Sequence, residues 1–416
     1  MKCWRNLYER LPNRNDSGEW DQLKCCELFV ENTSQSKKLG GLQVAEVIQY
    51  IKDEENDFYS DDDLFKISSW GADLSFRELI DRYDDNELLK PELQRKYVWD
   101  KTEASRFIDS LLLGLPVPSI FLAKTSDERM LIVDGYQRIM TVYDFVRGIY
   151  SGDGKVFKLS RSGKINSRWR GRAFSELGDI EQRKIRNTTI HAIIFVQDHP
   201  SDTDTSLYQV FERINTSGRT LMPQEIRNCV YQGPFNDLLI ELNRSDDWRG
   251  LFGGEEDSRM RDMEFILRFF ALDPSETRAI DKERISLKKH LNQFMKRSSG
   301  LECGRIDALR NKFLGAMSLV LNTWGMSAFH NISPSDPSRL VNKFSPTIFD
   351  SISIATAVAL ENRFDLTRGD PERNRRRLLQ DPAYRSAISK ETMTKDSITR
   401  RVELATQYLF GRGHEQ

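Results

Sequence analysis

The sequence is short of the residues from which metal sites and disulfide frameworks are built. It has five cysteines, Cys3, Cys25, Cys26, Cys229 and Cys303, an odd number with no C-x-x-C pair. That argues against both a disulfide framework and a thiolate zinc site. Histidine is equally scarce, at five in 416 residues, and no H-E-x-x-H occurs. A Walker A motif, a G-x-G-x-x-G turn and a serine nucleophile elbow are also missing, which removes the familiar phosphate-loop, dinucleotide and hydrolase signatures. No apolar run approaches the ~18 residues of a membrane-spanning helix. The first residues, MKCWRNLYERLPNRND, lack the apolar region of a secretory signal. A reducing cytoplasm is the expected compartment, with no membrane partner. Charge of one sign is not in excess either. Lys+Arg is 62 and Asp+Glu is 63, a net charge of -1. This excludes a globally basic nucleic-acid coat and a polyanionic tail, and leaves a local basic face open.

What is present describes a folded chain. Hydrophobic residues make up 38% and charged residues 30%, too apolar for disorder, and the length predicts about two to four domains. Residues 1–70 are expected to be an N-terminal extension, and the acidic run Asp53–Asp63 within it a solvated linker. Ser75 with Glu78 forms a capping-box pattern opening a short helix. Leu88–Trp99 reads as extended chain, broken by Pro91. Asp100, with Glu103 three residues on, predicts a second helix that stops at Gly114. Ser119–Ala123 and Met130–Val133 are strand candidates forming a hairpin. A helix follows at once, from Tyr136 to Gly148. Residues 151–172 read as a loop or ragged hairpin, and Thr189–Val196 as a buried strand. From Asp202 onward almost every periodic stretch is helical. The expected class is α+β: an α/β domain over 71–200 and an all-α domain over 201–416.

Three clusters are candidates for chemistry. The first is the turn Asp134-Gly135-Tyr136-Gln137-Arg138 between a strand and a helix. A glycine there lets backbone approach a ligand closely. The first N–H groups of the helix lack intrahelical partners and carry the positive end of the dipole. Arg138 adds a fork suited to phosphate oxygens, and Asp134 is placed to hold a metal ion or orient a water. The same five residues also suit an ordinary tight turn with a surface arginine. The second cluster, Phe211 to Arg219, ends a helix in a polar loop with Arg213, Asn215, Thr216 and Gly218. It suits phosphates or a base, and equally a plain helix connection. The third, Gln94-Arg95-Lys96 with Tyr97 and Trp99, mixes cations and aromatics in extended chain; the alternative is that the rings pack inward. Near the C-terminus, residues 363–401 hold eleven Lys/Arg against six acids. The dense part, Arg373, Arg375, Arg376 and Arg377, is either a DNA-phosphate contact or a solvated helix face.

Four stretches occur in order: PELQRKYVWD, SLLLGLPVPSIFL, LIVDGYQRIMTVYDF and VFERINTSGRTLMPQEIRN. Together they resemble the ParB/sulfiredoxin-like domains that form the N-terminal half of GmrSD-type modification-dependent restriction proteins. The resemblance covers roughly Ser75 to Tyr231. It implies a nucleotide-binding and NTP-hydrolysing domain in a restriction or anti-phage system. The bound species would be a nucleoside triphosphate with Mg²⁺ or another divalent cation. DNA, a nuclease or another defence protein, and further copies of the chain are the partners it suggests. On the matched positions Asp134, Gln137 and Arg138 would act in catalysis, with Asp134 on the metal. Gln94, Arg95, Gly135, Tyr136, Arg213, Asn215, Thr216 and Gly218 would bind the nucleotide, the loop 211–220 completing the pocket.

The chain departs from the family pattern in three places. Tyr136 replaces a glutamine usual in the turn, which suits slower hydrolysis or stacking on the base. The loop reads N-T-S-G rather than N-T-G-G. Met222 stands where a Ser/Thr helix cap is usual. Many relatives carry a His-Asn-His nuclease with an H-x-x-P start; here His330 to Pro334 is off by one, and no such nuclease is expected. His191 and His199 are read as structural. Two rival functions remain: a non-catalytic sensor of nucleotide or modified DNA, and a metal-dependent DNA nuclease using the same pocket.

Overall fold

The structure, a computed structural model, describes residues 48, 67–89, 99–125, 127–197, 205–214, 221–280, 283–364 and 369–411. The chain divides into two units, Met1–Ile48 and Gln49–Gln416, and the description below concerns the second. The acidic run Asp53–Asp63, the segment Gln94 to Tyr97 and His199 lie outside the described residues.

The elements alternate up to residue 197. They run β1 (Ile67–Ser75), α1 (Phe76–Asp84), β2 (Leu88–Leu89), α2 (Lys101–Leu113), β3 (Ile120–Lys124) and β4 (Met130–Asp134). Then come α3 (Tyr136–Arg147), the small hairpin β5 (Ile149–Tyr150) and β6 (Lys155–Val156), α4 (Asp179–Asn187) and β7 (Thr189–Gln197). Five strands make one mixed sheet in the order β1-β7-β3-β4-β2. β3 and β4 form the expected antiparallel hairpin. β7 runs parallel to β3 and antiparallel to β1. Its alternation puts Ile190, Ala192 and Ile194 in the core and His191 outside.

β1 has no counterpart in the sequence reading. Its nine residues, ISSWGADLS, are rich in Ser, Gly and Asp, which have low strand preference. The strand exists because it pairs along its full length with β7, from Ile67–Gln197 to Ser75–Thr189.

Helix ends follow local chemistry. The Asp100 carboxylate accepts from the N–H groups of Thr102 and Glu103 at 2.6 and 2.8 Å, and Glu103 returns the bond to the Asp100 N–H at 2.9 Å. Such a cap contributes about 1 kcal/mol. α2 stops at Gly114, at φ 77°. At α1 only half of the box forms. Ser75 Oγ accepts from the Glu78 N–H at 3.2 Å, but the Glu78 carboxylate turns to Arg82 at 3.1 Å.

Residues 151–172 open with the second strand of the small β5–β6 hairpin, as the ragged-hairpin reading expected, and continue as turns anchored in the core. Phe157, Leu159, Ile165 and Trp169 are all buried in the sheet's core. The Trp169 indole N–H donates to the Asp109 carboxylate on α2 at 2.6 Å, and the Asn166 N–H to the same oxygen at 3.2 Å.

Beyond residue 205 the chain is helical. α5 (Ser206–Ile214), α6 (Pro223–Val230), α7 (Pro234–Asn243), α8 (Asp246–Phe252), α9 (Arg261–Ala271), α10 (Pro274–Arg278), α11 (Leu287–Ser298) and α12 (Cys303–Trp324) lead to a hairpin. The hairpin, β8 (His330–Ile332) and β9 (Leu340–Phe344), is a departure from the all-α expectation; Ser and Pro residues between its strands favour turns. α13 (Pro346–Glu361), α14 (Pro371–Gln380), α15 (Pro382–Ser389) and α16 (Lys395–Phe410) complete the fold.

α13 is apolar round most of its circumference, so it is buried among its neighbours. One charge goes with it. Asp350 is fully buried and binds two equally buried arginines. Arg268 donates through Nε and Nη2 at 3.0 and 2.6 Å, and Arg401 through Nη2 at 2.9 Å. Removing the acid leaves two cations facing each other without water. Asp350→Asn is expected to destabilise the chain by about 3–5 kcal/mol, read as a lower denaturant midpoint. A loss under about 1 kcal/mol, the scale of a surface pair, would show that the arginines find other acceptors.

Candidate functional site

β4 ends at Asp134 and α3 begins two residues later. Gly135 between them has φ 99° and ψ 5°. A Cβ at this position would lie 2.3 Å from Ile120 Cγ2 and 3.2 Å from Arg138 Nη1. Both the backbone conformation and the lack of space demand glycine. The tight approach brings the start of α3 against β3.

Arg138 then folds back from the first helical turn. Its Nη1 donates to the Ser119 carbonyl at 2.7 Å, and its Nη2 to Asp134 Oδ2 at 3.0 Å. The Arg138 side chain is 18% exposed and that of Asp134 39%. The guanidinium is therefore held in place by the protein itself. Asp134 Oδ1 accepts no hydrogen bond among the described residues. Gln137 Oε1 accepts a long bond from the Trp99 N–H at 3.4 Å, and the Trp99 carbonyl accepts from the Tyr150 hydroxyl at 2.6 Å.

Tyr136 is placed differently from expectation. It shares a helix face with Ile139 and Met140, at positions i, i+3 and i+4, and that face packs into the core. The ring is 6% exposed. Burial, with Tyr83 and Asp144 nearby, pushes its phenol above the ordinary tyrosine range. A ring so enclosed is not presented for stacking on a base. The aromatic residue beside Asp134 is Phe121, its cross-strand partner on β3. Phe121 stacks on Phe195 of β7 with ring centres 6.0 Å apart and planes 11° from parallel. Both rings are half-buried. The sequence reading missed them because a phenylalanine in a strand reads as core.

Arg213 is exposed in the last turn of α5. That helix starts beside the end of β7, where Gln197 Nε2 donates to Ser206 Oγ at 3.1 Å. Gln94, Arg95, Asn215, Thr216 and Gly218 lie outside the described residues. The described contacts thus join Asp134, Gly135, Gln137 and Arg138 with Ser119 and Trp99.

The Gln224-Glu225-Ile226-Arg227 stretch is interior. Arg227 is 1% exposed. It donates to Asn292 at 2.7 Å, to Glu264 at 2.8 Å and to Gln224 at 3.0 Å. These bonds strap α6 to α9 and α11. The Met222 side chain supplies no cap, as expected, but Glu225 accepts from the Met222 N–H at 2.6 Å in its place.

The basic cluster on α14 is partly consumed by the fold. Arg375 is 1% exposed and bonds to Glu372 at 3.0 Å and the Ser327 carbonyl at 2.6 Å. Burial pushes its pKa down. It is therefore a packing residue and not a DNA contact. Arg376 bonds to Glu372 and to the Ser338 carbonyl, each at 2.8 Å. Arg373 and Arg377 are exposed, the latter over the Tyr408 ring at 5.8 Å. His330 lies in β8, and His191 pairs with Asp73 at 2.8 Å on the exposed face of β7. No group of three or more potential metal-ligating residues occurs among the described residues, and no described helix is long and apolar enough to cross a membrane.

The family model of the GmrSD restriction endonuclease N-terminal domain matches residues 76–232. The match starts at the first residue of α1 and runs through the Asp134 turn to just beyond α6. Over that stretch the chain is similar to this family. Comparison with curated proteins gives no match.

Gly135→Ala is expected to cost about 2 kcal/mol or more, the sum of left-handed strain and overpacking. Gly135→Ala combined with Ile120→Ala should lose less than the two single changes added, because the clash with Ile120 is gone. Denaturant unfolding of the three variants measures this. Additive losses would show that the approach of Ile120 is not what excludes a side chain.

Proposed function

We propose that this chain is a nucleotide-binding protein of a bacterial restriction or anti-phage system. It hydrolyses a nucleoside triphosphate and acts with a partner effector or on DNA. The sheet with its Asp134 turn is read as a ParB/sulfiredoxin-like nucleotide domain, and the compartment as the cytoplasm. One observation carries the reading: Arg138 is fixed between the Ser119 carbonyl and Asp134 at a glycine turn that opens a helix. It lies inside the stretch similar to the restriction family.

Chemically, the start of α3 and the Arg138 guanidinium favour phosphate oxygens. A guanidinium held in advance stabilises charge that grows during phosphoryl transfer without reorganising. Arg95 and Arg213 would add charge, and Gln94, Asn215, Thr216 and Gly218 would close the pocket. Phe121 and Phe195 take the base-stacking role in place of Tyr136. Mg²⁺ fits this turn as a nucleotide-borne ion, since Asp134 Oδ1 offers one carboxylate ligand and Mg²⁺ is commonly held by one or two carboxylates plus phosphates.

A second reading, a sensor that binds without turnover, is favoured by the ion pair itself. An Asp134 carboxylate engaged with Arg138 is less free to orient a water. The test is phosphate release from ATP, GTP, CTP and their deoxy forms with Mg²⁺, with binding followed by calorimetry. Turnover is expected in the parent and should fall by about 10²-fold or more in Arg138→Ala. Binding without turnover would establish the sensor. Neither with any nucleotide would remove the phosphate role from the turn. Metal-dependent plasmid nicking without nucleotide, lost in Asp134→Ala, would point to a nuclease.

A further inference from the structure

From Lys155 to Arg172 the chain carries seven lysines and arginines and no acid. In a protein of net charge -1 this is a concentrated imbalance. All seven are exposed. The backbone beneath them is fixed: the Leu159 N–H donates to the Arg172 carbonyl at 2.9 Å and the Gly171 N–H to the Leu159 carbonyl at 3.1 Å. Two of the cations have an acid within reach, Lys158 with Glu176 at 2.7 Å and Arg168 with Glu181 at 3.5 Å. Arg170 folds onto the Ile165 carbonyl at 2.6 Å. Lys155, Arg161, Lys164 and Arg172 form no ion pair within 4 Å among the described residues, and Arg172 is attracted only at longer range by Glu176, which already holds Lys158. The α14 cluster is different, because there the fold itself uses Arg375 and Arg376.

The type of partner follows from what the surface exposes. Cations facing solvent on a fixed backbone neutralise closely spaced phosphates and release counterions. Binding of single strands needs aromatic rings on which unpaired bases stack. The two rings of this segment, Phe157 and Trp169, are buried. Positive charge without stacking platforms suits a duplex, contacted along its backbone and without sequence readout. We propose that the 155–172 surface binds the phosphate backbone of double-stranded DNA. The proposal deepens the reading that the protein acts on DNA, and is independent of nucleotide binding at Asp134.

The test uses the full chain. Fluorescence anisotropy follows binding to a short mixed-sequence duplex, the matching single strand and anionic vesicles, over a range of salt. The parent should prefer the duplex. In Arg161→Ala/Lys164→Ala/Arg172→Ala, duplex affinity should fall more than about tenfold at low salt, and the log–log salt slope by about 0.9 per lost contact. Arg161→Lys/Arg172→Lys should keep the slope, and Arg305→Ala/Lys343→Ala, two exposed cations of the helical part, should keep both quantities. Phosphate release, where the parent shows it, should be the same in the triple variant, which separates this surface from the Asp134 turn. No duplex binding by the parent, an unchanged triple variant with an unchanged thermal melt, or tighter binding to single strands or vesicles through the same residues would each overturn the proposal.

Discussion

The candidate site depends on one steric fact: Ile120 occupies the space that a side chain at residue 135 would need. With glycine there, β4 can turn into α3 against the start of β3. Only then does the Ser119 carbonyl come within 2.7 Å of Arg138, and Arg138 within 3.0 Å of Asp134. The arginine owes its orientation to a carbonyl on a neighbouring strand connection, not to the helix that carries it. Position, charge and partial exposure of the turn therefore all descend from packing between two apolar strands and one glycine.

Arginine has two uses in this molecule, and burial separates them. Arg227, Arg268, Arg375 and Arg401 are at most 1% exposed. Each bonds to carboxylates or to amide and backbone carbonyls that replace the water it has lost. Such a group is costly to leave unpaired, so it fixes which helices meet and in what register. The exposed cations of 155–172 have little such function in the fold. Their surroundings favour an outside partner because the protein supplies few counter-charges of its own. A count of basic residues along the sequence does not distinguish the two uses; the α14 cluster, dense in sequence, divides between them.

What could be read in the sequence was whatever local chemistry determines. Asp100 with Glu103, Gly114, the β3–β4 hairpin and the glycine-opened helix α3 are all settled by residues within a few positions of one another. β1 was not legible, because its pairing with β7 spans more than a hundred residues and its own composition argues against a strand. α4 was missed for a related reason: only Ile185 in it is buried, so it has no apolar stripe to read. At the site, the glycine and the arginine were visible, but their partners were not. Ser119 acts through its carbonyl, which any residue possesses. Tyr136 was placed at the site by its matched position in the turn, and what the sequence did not show is that helix geometry turns its ring inward with Ile139.

The two surfaces of interest lie on one frame. α3 starts at the Asp134 turn and ends at Gly148, where the chain enters the β5–β6 hairpin and then the basic segment. At 1.5 Å per residue the helix is roughly 18 Å long. A second connection joins the same regions through hydrogen bonds: the Trp99 N–H donates to Gln137 Oε1, and the Tyr150 hydroxyl donates to the Trp99 carbonyl. Trp99 directly precedes Asp100, the residue that caps α2, and α2 holds the basic segment through Asp109. The turn and the 155–172 surface therefore rest on the same two helices, α3 and α2. The weakest link in that frame is the 3.4 Å bond from Trp99 to Gln137. It joins the turn directly to α2.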